Sequence, residues 1–93
     1  MMTQSTSKSN QSNWVGIDVS KAKLDVYEIQ SAQAQRFSND SEGIEQLSQW
    51  LMQFPQASVV CESTGGLERL AAETLSAVGI SVSIVNAAQM HNF

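Results

Sequence analysis

Short apolar runs of two kinds divide this chain, some with a period of two residues and some with a period near 3.6. From Trp14 to Val19, Val15, Ile17 and Val19 face one way while Trp14, Gly16 and Asp18 face the other, which is the period of a strand. The apolar content of the whole run predicts a central strand covered on both faces. Gly16 puts no side chain beside Asp18, leaving room for a ligand or another backbone. After the polar break Ser20-Lys21-Ala22, residues Lys23 to Ile29 alternate again, Leu24 and Val26 opposing Asp25 and Tyr27. So short a break favours an antiparallel hairpin. Ala32 to Phe37 predicts a third strand closing a meander.

The period then changes. Asn39-Asp40-Ser41-Glu42 is a helix start in which Asn, Asp or Ser can cap, and Asn39 with Glu42 has the spacing of a capping box. Ile44, Leu47, Leu51 and Phe54 form one apolar stripe, and Pro55 stops the helix. Ala57 to Cys61 reads as a buried strand, parallel to the first. Gly65-Gly66 opens a second predicted helix, with Leu67, Leu70, Ala71, Thr74, Leu75 and Val78 as its stripe and Gly79 as its left-handed terminator. Ile80, Val82 and Ile84 alternate with Ser81 and Ser83 as a last strand. The order is strand, strand, strand, helix, strand, helix, strand, the opening of a partial ribonuclease-H-like α/β fold with a mixed sheet. The right-handed crossover rule makes the strand after the first helix a neighbour of the first strand.

Residues 1–13 are Ser, Gln, Asn and Thr-rich and are expected to form a disordered polar tail. That leaves about 80 residues for one modest core. No apolar run approaches the roughly 18 residues that span a membrane, no signal-peptide pattern is present, and the single Cys61 excludes an internal disulfide. A reduced, cytoplasmic protein with no membrane partner is expected. The net charge of −4 is unlike that of a free-standing nucleic-acid-binding domain, whose phosphate contacts need Lys and Arg. It poses no obstacle to a metal site. Asp18 and Glu62 both sit in strand-like runs, where acids are depleted, and each precedes a polar or glycine-containing turn. Two strands delivering carboxylates to one end of a sheet is a means of holding a divalent metal.

Gly16-Ile17-Asp18-Val19-Ser20-Lys21 with Leu24-Asp25-Val26 resembles the opening motif of the DEDD transposases of the insertion-sequence one-ten family. Glu62-Ser63-Thr64-Gly65-Gly66 resembles that family's Glu-x-Thr-Gly-Gly motif. Phe37-Ser38-Asn39 with Gly43 and Leu47 fits its linking segment, and Val85-Asn86 with Gln89 and Phe93 resembles its Asn-Pro-x-Gln stretch, with Ala87 in place of proline. The resemblance covers residues 14–93. It implies the N-terminal part of a RuvC-like domain, with Asp18 and Glu62 as the first two of four metal-binding, catalytic acids. The implied cofactor is Mg2+ or Mn2+ and the implied partner is DNA, with a guide RNA for some members. No stretch of this chain matches the later Asp-x-x-Asp segment, so the chain looks like the first part of a longer transposase, expected to bind Mg2+ weakly and cleave little alone.

Each assignment has a plainer counterpart. Asp18 could bond Lys21 or a turn, and Glu62 could face the helix dipole. Lys21, Thr64, Gly65 and Gly66 are candidate DNA-phosphate contacts, since helix N-termini bind anions; equally, Thr64 is a helix cap, Gly65-Gly66 a simple turn and Lys21 a solvated cation. Asp25 is assigned as structural, Cys61 as core, His91 as incidental, and Trp14 and Trp50 as packing residues. Two other functions fit the same pattern. One is an actin-like or sugar-kinase ATPase half-domain. The other is a non-catalytic homo-oligomer joined through an exposed last strand.

Overall fold

The computed structural model describes residues 13–62 and 64–86. Of the polar tail expected over residues 1–13, all but Asn13 lies outside the described residues, as do Ser63 and the segment holding Gln89, His91 and Phe93; Asn13 instead opens the first strand. Strands β1 (Asn13–Val19), β2 (Lys23–Glu28) and β3 (Gln33–Ser38) are followed by helix α1 (Ser41–Leu51), strand β4 (Ala57–Glu62), helix α2 (Arg69–Ala77) and strand β5 (Ser81–Val85). The five strands form one sheet in the order β3-β2-β1-β4-β5. The meander β1–β2–β3 is antiparallel, and β4 and β5 add parallel to β1 and to each other. This mixed α/β arrangement is compatible with a ribonuclease-H-like domain.

One face of the sheet carries the core. Val15, Ile17 and Val19 of β1, Leu24 and Val26 of β2, Phe37 of β3, and Val59 and Cys61 of β4 pack with Ile44, Leu47 and Leu51 of α1 and Ala71 and Leu75 of α2. Each large aliphatic side chain removed from water there contributes about 1.5–3 kcal/mol. Trp50 lies half-buried against this cluster, its ring 5.9 Å from that of Phe37 and 5.0 Å from that of Phe54. The other face is open. β1 is therefore covered on one side and not on both, and Trp14, expected to pack, is 50% exposed. The sequence pattern missed this because Gly16 and Trp14 read as apolar without facing any helix.

Both helix starts differ in detail from expectation. Asp40, not Asn39, caps α1: its carboxylate accepts from the Gly43 N–H at 2.8 Å and from Ser38 Oγ at 2.9 Å, which holds its pKa below the ordinary value. A Cβ on Gly43 would collide with the Ser38 carbonyl oxygen, so glycine lets α1 start tight against the end of β3. Helix α2 begins at Arg69, after a turn rather than at Gly65-Gly66. Its buried side is Ala71, Ala72 and Leu75, leaving Leu67, Leu70 and Val78 exposed. The side of the helix that is buried is thus built from two alanines and one leucine, and part of the predicted stripe faces outward. The end of α2 follows expectation: Gly79 N–H bonds Ser76 O and Ile80 N–H bonds Leu75 O, a Schellman closure.

Candidate active site

The parallel register pairs Gly16 with Val60 and Ile17 with Cys61. One step further sets Asp18 beside Glu62 on neighbouring strands, about 4.8 Å apart in backbone. Both side chains alternate away from the core face, so both emerge on the open face. The antiparallel register places Asp25 opposite Asp18 on its other side. The three carboxylates thus form a row across β2, β1 and β4, along a cavity of about 550 Å3 that Gly16, Tyr27, Val60 and Val85 also line. A second cavity of similar volume, between Met52, Pro55, Gln56 and Ile80 at the start of β4, holds no titratable side chain.

Asp18 is exposed and Glu62 half-buried, so neither carries the full cost of burying a charge. Among the described residues neither carboxylate has a hydrogen bond or an ion pair, including the Asp18–Lys21 contact considered from sequence. Asp25 differs: its Oδ1 takes Arg36 Nε at 2.6 Å, which commits it to a cation. Hard carboxylate oxygens suit Mg2+, which keeps several of its waters. Asp18 and Glu62 therefore fit one such ion held with water. Among the described residues no group of three or more His, Cys, Asp or Glu is arranged to hold a metal.

Two turns carry these acids. After β1, Ser20 closes its own turn: its N–H and Oγ both donate to Lys23 O, at 2.9 and 3.1 Å, and its Oγ accepts from Lys23 N–H. Lys21 stands exposed at the tip. After β4, Gly65 and Gly66 take φ of 69° and 100°, the left-handed region that side chains disfavour. The Glu68 carboxylate reaches back over this turn and accepts from Thr64 N–H at 3.0 Å, Thr64 Oγ1 at 2.9 Å and Gly66 N–H at 3.2 Å. Thr64 is thus a donor to Glu68 and not a helix cap. A phosphate reaching the Thr64 and Gly66 amides would have to displace a carboxylate already there. These bonds, the Thr64 amide first, hold the Glu68 pKa below the ordinary value. Beneath the turn, burial and then the charge of Glu68 push the Cys61 thiol up to about 11.

The sequence profile of IS110 DEDD transposases, described as a transposase, matches residues 15–93. The chain belongs to the IS110 family of DEDD transposases. No curated protein matches it. Two solved structures of the Ppx/GppA family member of Aquifex aeolicus are 13% identical at TM-score 0.41, with 84% of this chain and 36% and 37% of theirs aligned. A likeness of that size carries no argument, and the chain spans little more than a third of those structures.

Within this transposase segment, sequence reasoning overlooked the buried carboxylates. Glu28 is 1% exposed at the end of β2. It accepts from the Ser31 hydroxyl and from the N–H groups of Ser31 and Gln30, and the Ser31 hydroxyl is the main cause that lowers its pKa. Glu68, four residues after Thr64, was detectable in principle as an acid poised to collect the N–H groups of a glycine turn. Asn39, one of the candidate caps, directs its side chain to the carbonyls of Ser20 and Leu67.

Proposed function

We propose that this chain supplies the first half of a Mg2+-dependent, RuvC-like (ribonuclease-H-like) centre that cuts and transfers DNA strands during transposition of an insertion sequence. The observation that carries the reading is the register neighbourhood of Asp18 and Glu62 on the open face, within a segment that matches the transposase family. A metal bound in such a centre stabilises the attacking and leaving oxygens of a phosphodiester in displacement. Asp18 and Glu62 would hold it through carboxylate oxygens, while Asp25 is paired with Arg36 beside them. Two further acids complete the set in the parent transposase. Lys21 and the turn at Thr64, Gly65 and Gly66 lie at the same end of the sheet and approach the DNA backbone, Lys21 as a solvated cation and the turn through whatever amides Glu68 leaves accessible. Where a guide RNA takes part, it does so through the full-length protein.

The test is metal binding by the 93-residue chain, followed by Mn2+ electron paramagnetic resonance. Weak, saturable binding that vanishes in both Asp18→Asn and Glu62→Gln is expected, together with negligible Mg2+-dependent nicking of DNA. Binding that survives both substitutions sinks the metal reading; robust nicking by the chain alone sinks the half-site reading.

A second reading is favoured by the end of the sheet. β5 is an edge strand whose Ser81, Ser83 and Ile84 are exposed, and unpaired edges invite another strand. We infer that the chain pairs with a second copy through β5. Light scattering across a concentration series checks this, and a monomer at the highest concentration refutes it.

A further inference from the structure

We propose that Asn39 is a positioning residue whose side-chain amide ties the two acid-bearing turns together. Its Nδ2 donates to Ser20 O at 2.9 Å and to Leu67 O at 3.2 Å. Ser20 lies two residues beyond Asp18, and Leu67 lies in the turn that follows Glu62. Those acceptors are 19 and 28 residues away in sequence. A carboxamide offers two N–H donors in a rigid planar fork, one for each carbonyl. A carboxylate there would present acceptors to acceptors, and a hydroxyl has a single proton.

Asn39 is itself held on three sides. Its backbone N–H donates to Ala22 O at 2.9 Å, a second bond to the first turn. The next residue, Asp40, anchors the start of α1 through Gly43. On the far side Glu68 stiffens the Thr64–Gly66 stretch with three bonds, so a pull on Leu67 O is transmitted to a braced turn and not absorbed by a slack one. The strand ladder sets Asp18 beside Glu62 in register. The Asn39 fork fixes how far apart the two turns beyond them stand, and with it the separation of the carboxylates that leave those strand ends. Groups that orient a metal's ligands from behind matter to affinity by about 10–100-fold.

The metal arm of the test rests on the proposed cation site; the other arm does not. In the wild-type chain, nuclear Overhauser contacts are expected from the Asn39 side-chain amide to both the Lys21 and the Glu68 backbone amides. Absence of either overturns the clamp, whatever any variant does. In Asn39→Ala, the backbone amide resonances of residues 20–23 and 64–68 are expected to shift together while those of the β2–β3 turn at residues 30–33 stay. A response in one turn alone overturns the coupling. Mn2+ affinity in Asn39→Ala is expected to fall about tenfold, while Ser31→Ala, which removes a Glu28 contact at the β2–β3 turn and touches neither acid-bearing turn, keeps wild-type affinity. An equal fall in both variants would show a general loss of structure and overturn the positioning role. If the wild-type chain binds no Mn2+, the metal reading fails by itself and the resonance arms alone decide the clamp.

Discussion

The two faces of one sheet behave as different materials. On the helix-covered face, Val15, Ile17 and Val19 of β1 are 0%, 4% and 6% exposed. On the other, alternate residues of the same strand are the half-exposed Trp14, the bare Gly16 and the exposed Asp18. On a strand covered on both faces the acids of the candidate site would carry a burial cost. On an open face they cost little, and they need no partner to be tolerated there. The carboxylates that are buried, Glu28 and Glu68, are those for which the fold provides turn N–H groups and hydroxyls. Unpartnered acids on the open face are thereby free to take a ligand, whereas the buried ones have been used up by structure.

The contrast can be broken most forcefully in the core. Leu47→Ala empties a fully buried position between α1 and the sheet. A loss of about 2–5 kcal/mol is expected, which leaves a domain of this size largely unfolded in a denaturant titration. Asp18→Asn, one sheet thickness away, should change stability by no more than about 0.5 kcal/mol while removing Mn2+ binding. Comparable destabilisation by the two would mean that the open face is covered in solution.

Acid separates the faces next. Glu28, Asp40 and Glu68 have folded pKa values below their ordinary ones, so the folded state binds fewer protons than the unfolded chain near those values. Their stabilisation is complete above the ordinary glutamate value of 4.5 and is lost as pH falls through the lower folded values. A melting temperature that drops below pH 4.5 is expected, and Glu28→Gln should flatten part of that drop. A melting temperature just as steep in the variant would contradict the assignment of Glu28.

Reactivity gives a smaller and slower signal. With its thiol raised to about 11 and fully buried, Cys61 should resist thiol reagents at about pH 8 in the native chain and react only on unfolding. Rapid labelling of the folded protein would show that β4 opens. The smallest effect expected is that of Arg36→Ala. Its pair with Asp25 is about half exposed on both sides, and such surface pairs contribute about 0–1 kcal/mol. A larger loss, read by thermal melting, would mean that the β2–β3 end of the open face is more ordered than its exposure suggests.

Much of this architecture is legible in the residues. The two-residue alternation in Leu24-Asp25-Val26-Tyr27 survives intact as buried, half-buried, buried and exposed positions, and Ile44, Leu47 and Leu51 all point into the core. The adjacency of Asp18 and Glu62 follows from the sequence once β4 is taken as parallel to β1. Which face each element buries is less legible. Leu67, Leu70 and Val78 fit a helical stripe and yet face solvent, and Trp14 packs under nothing described.

Periodicity is a local property, written at spacings of two, three and four residues, so the sequence alone determined the order of the elements, the alternation along each strand and the strand ends on which the acids stand. Contacts to backbone carbonyls leave no such record, because every residue has one. Only the tertiary structure decided that Asn39 would serve Ser20 and Leu67, that Glu68 would fill the glycine turn, and that one face of the sheet would stay open beside Asp18 and Glu62.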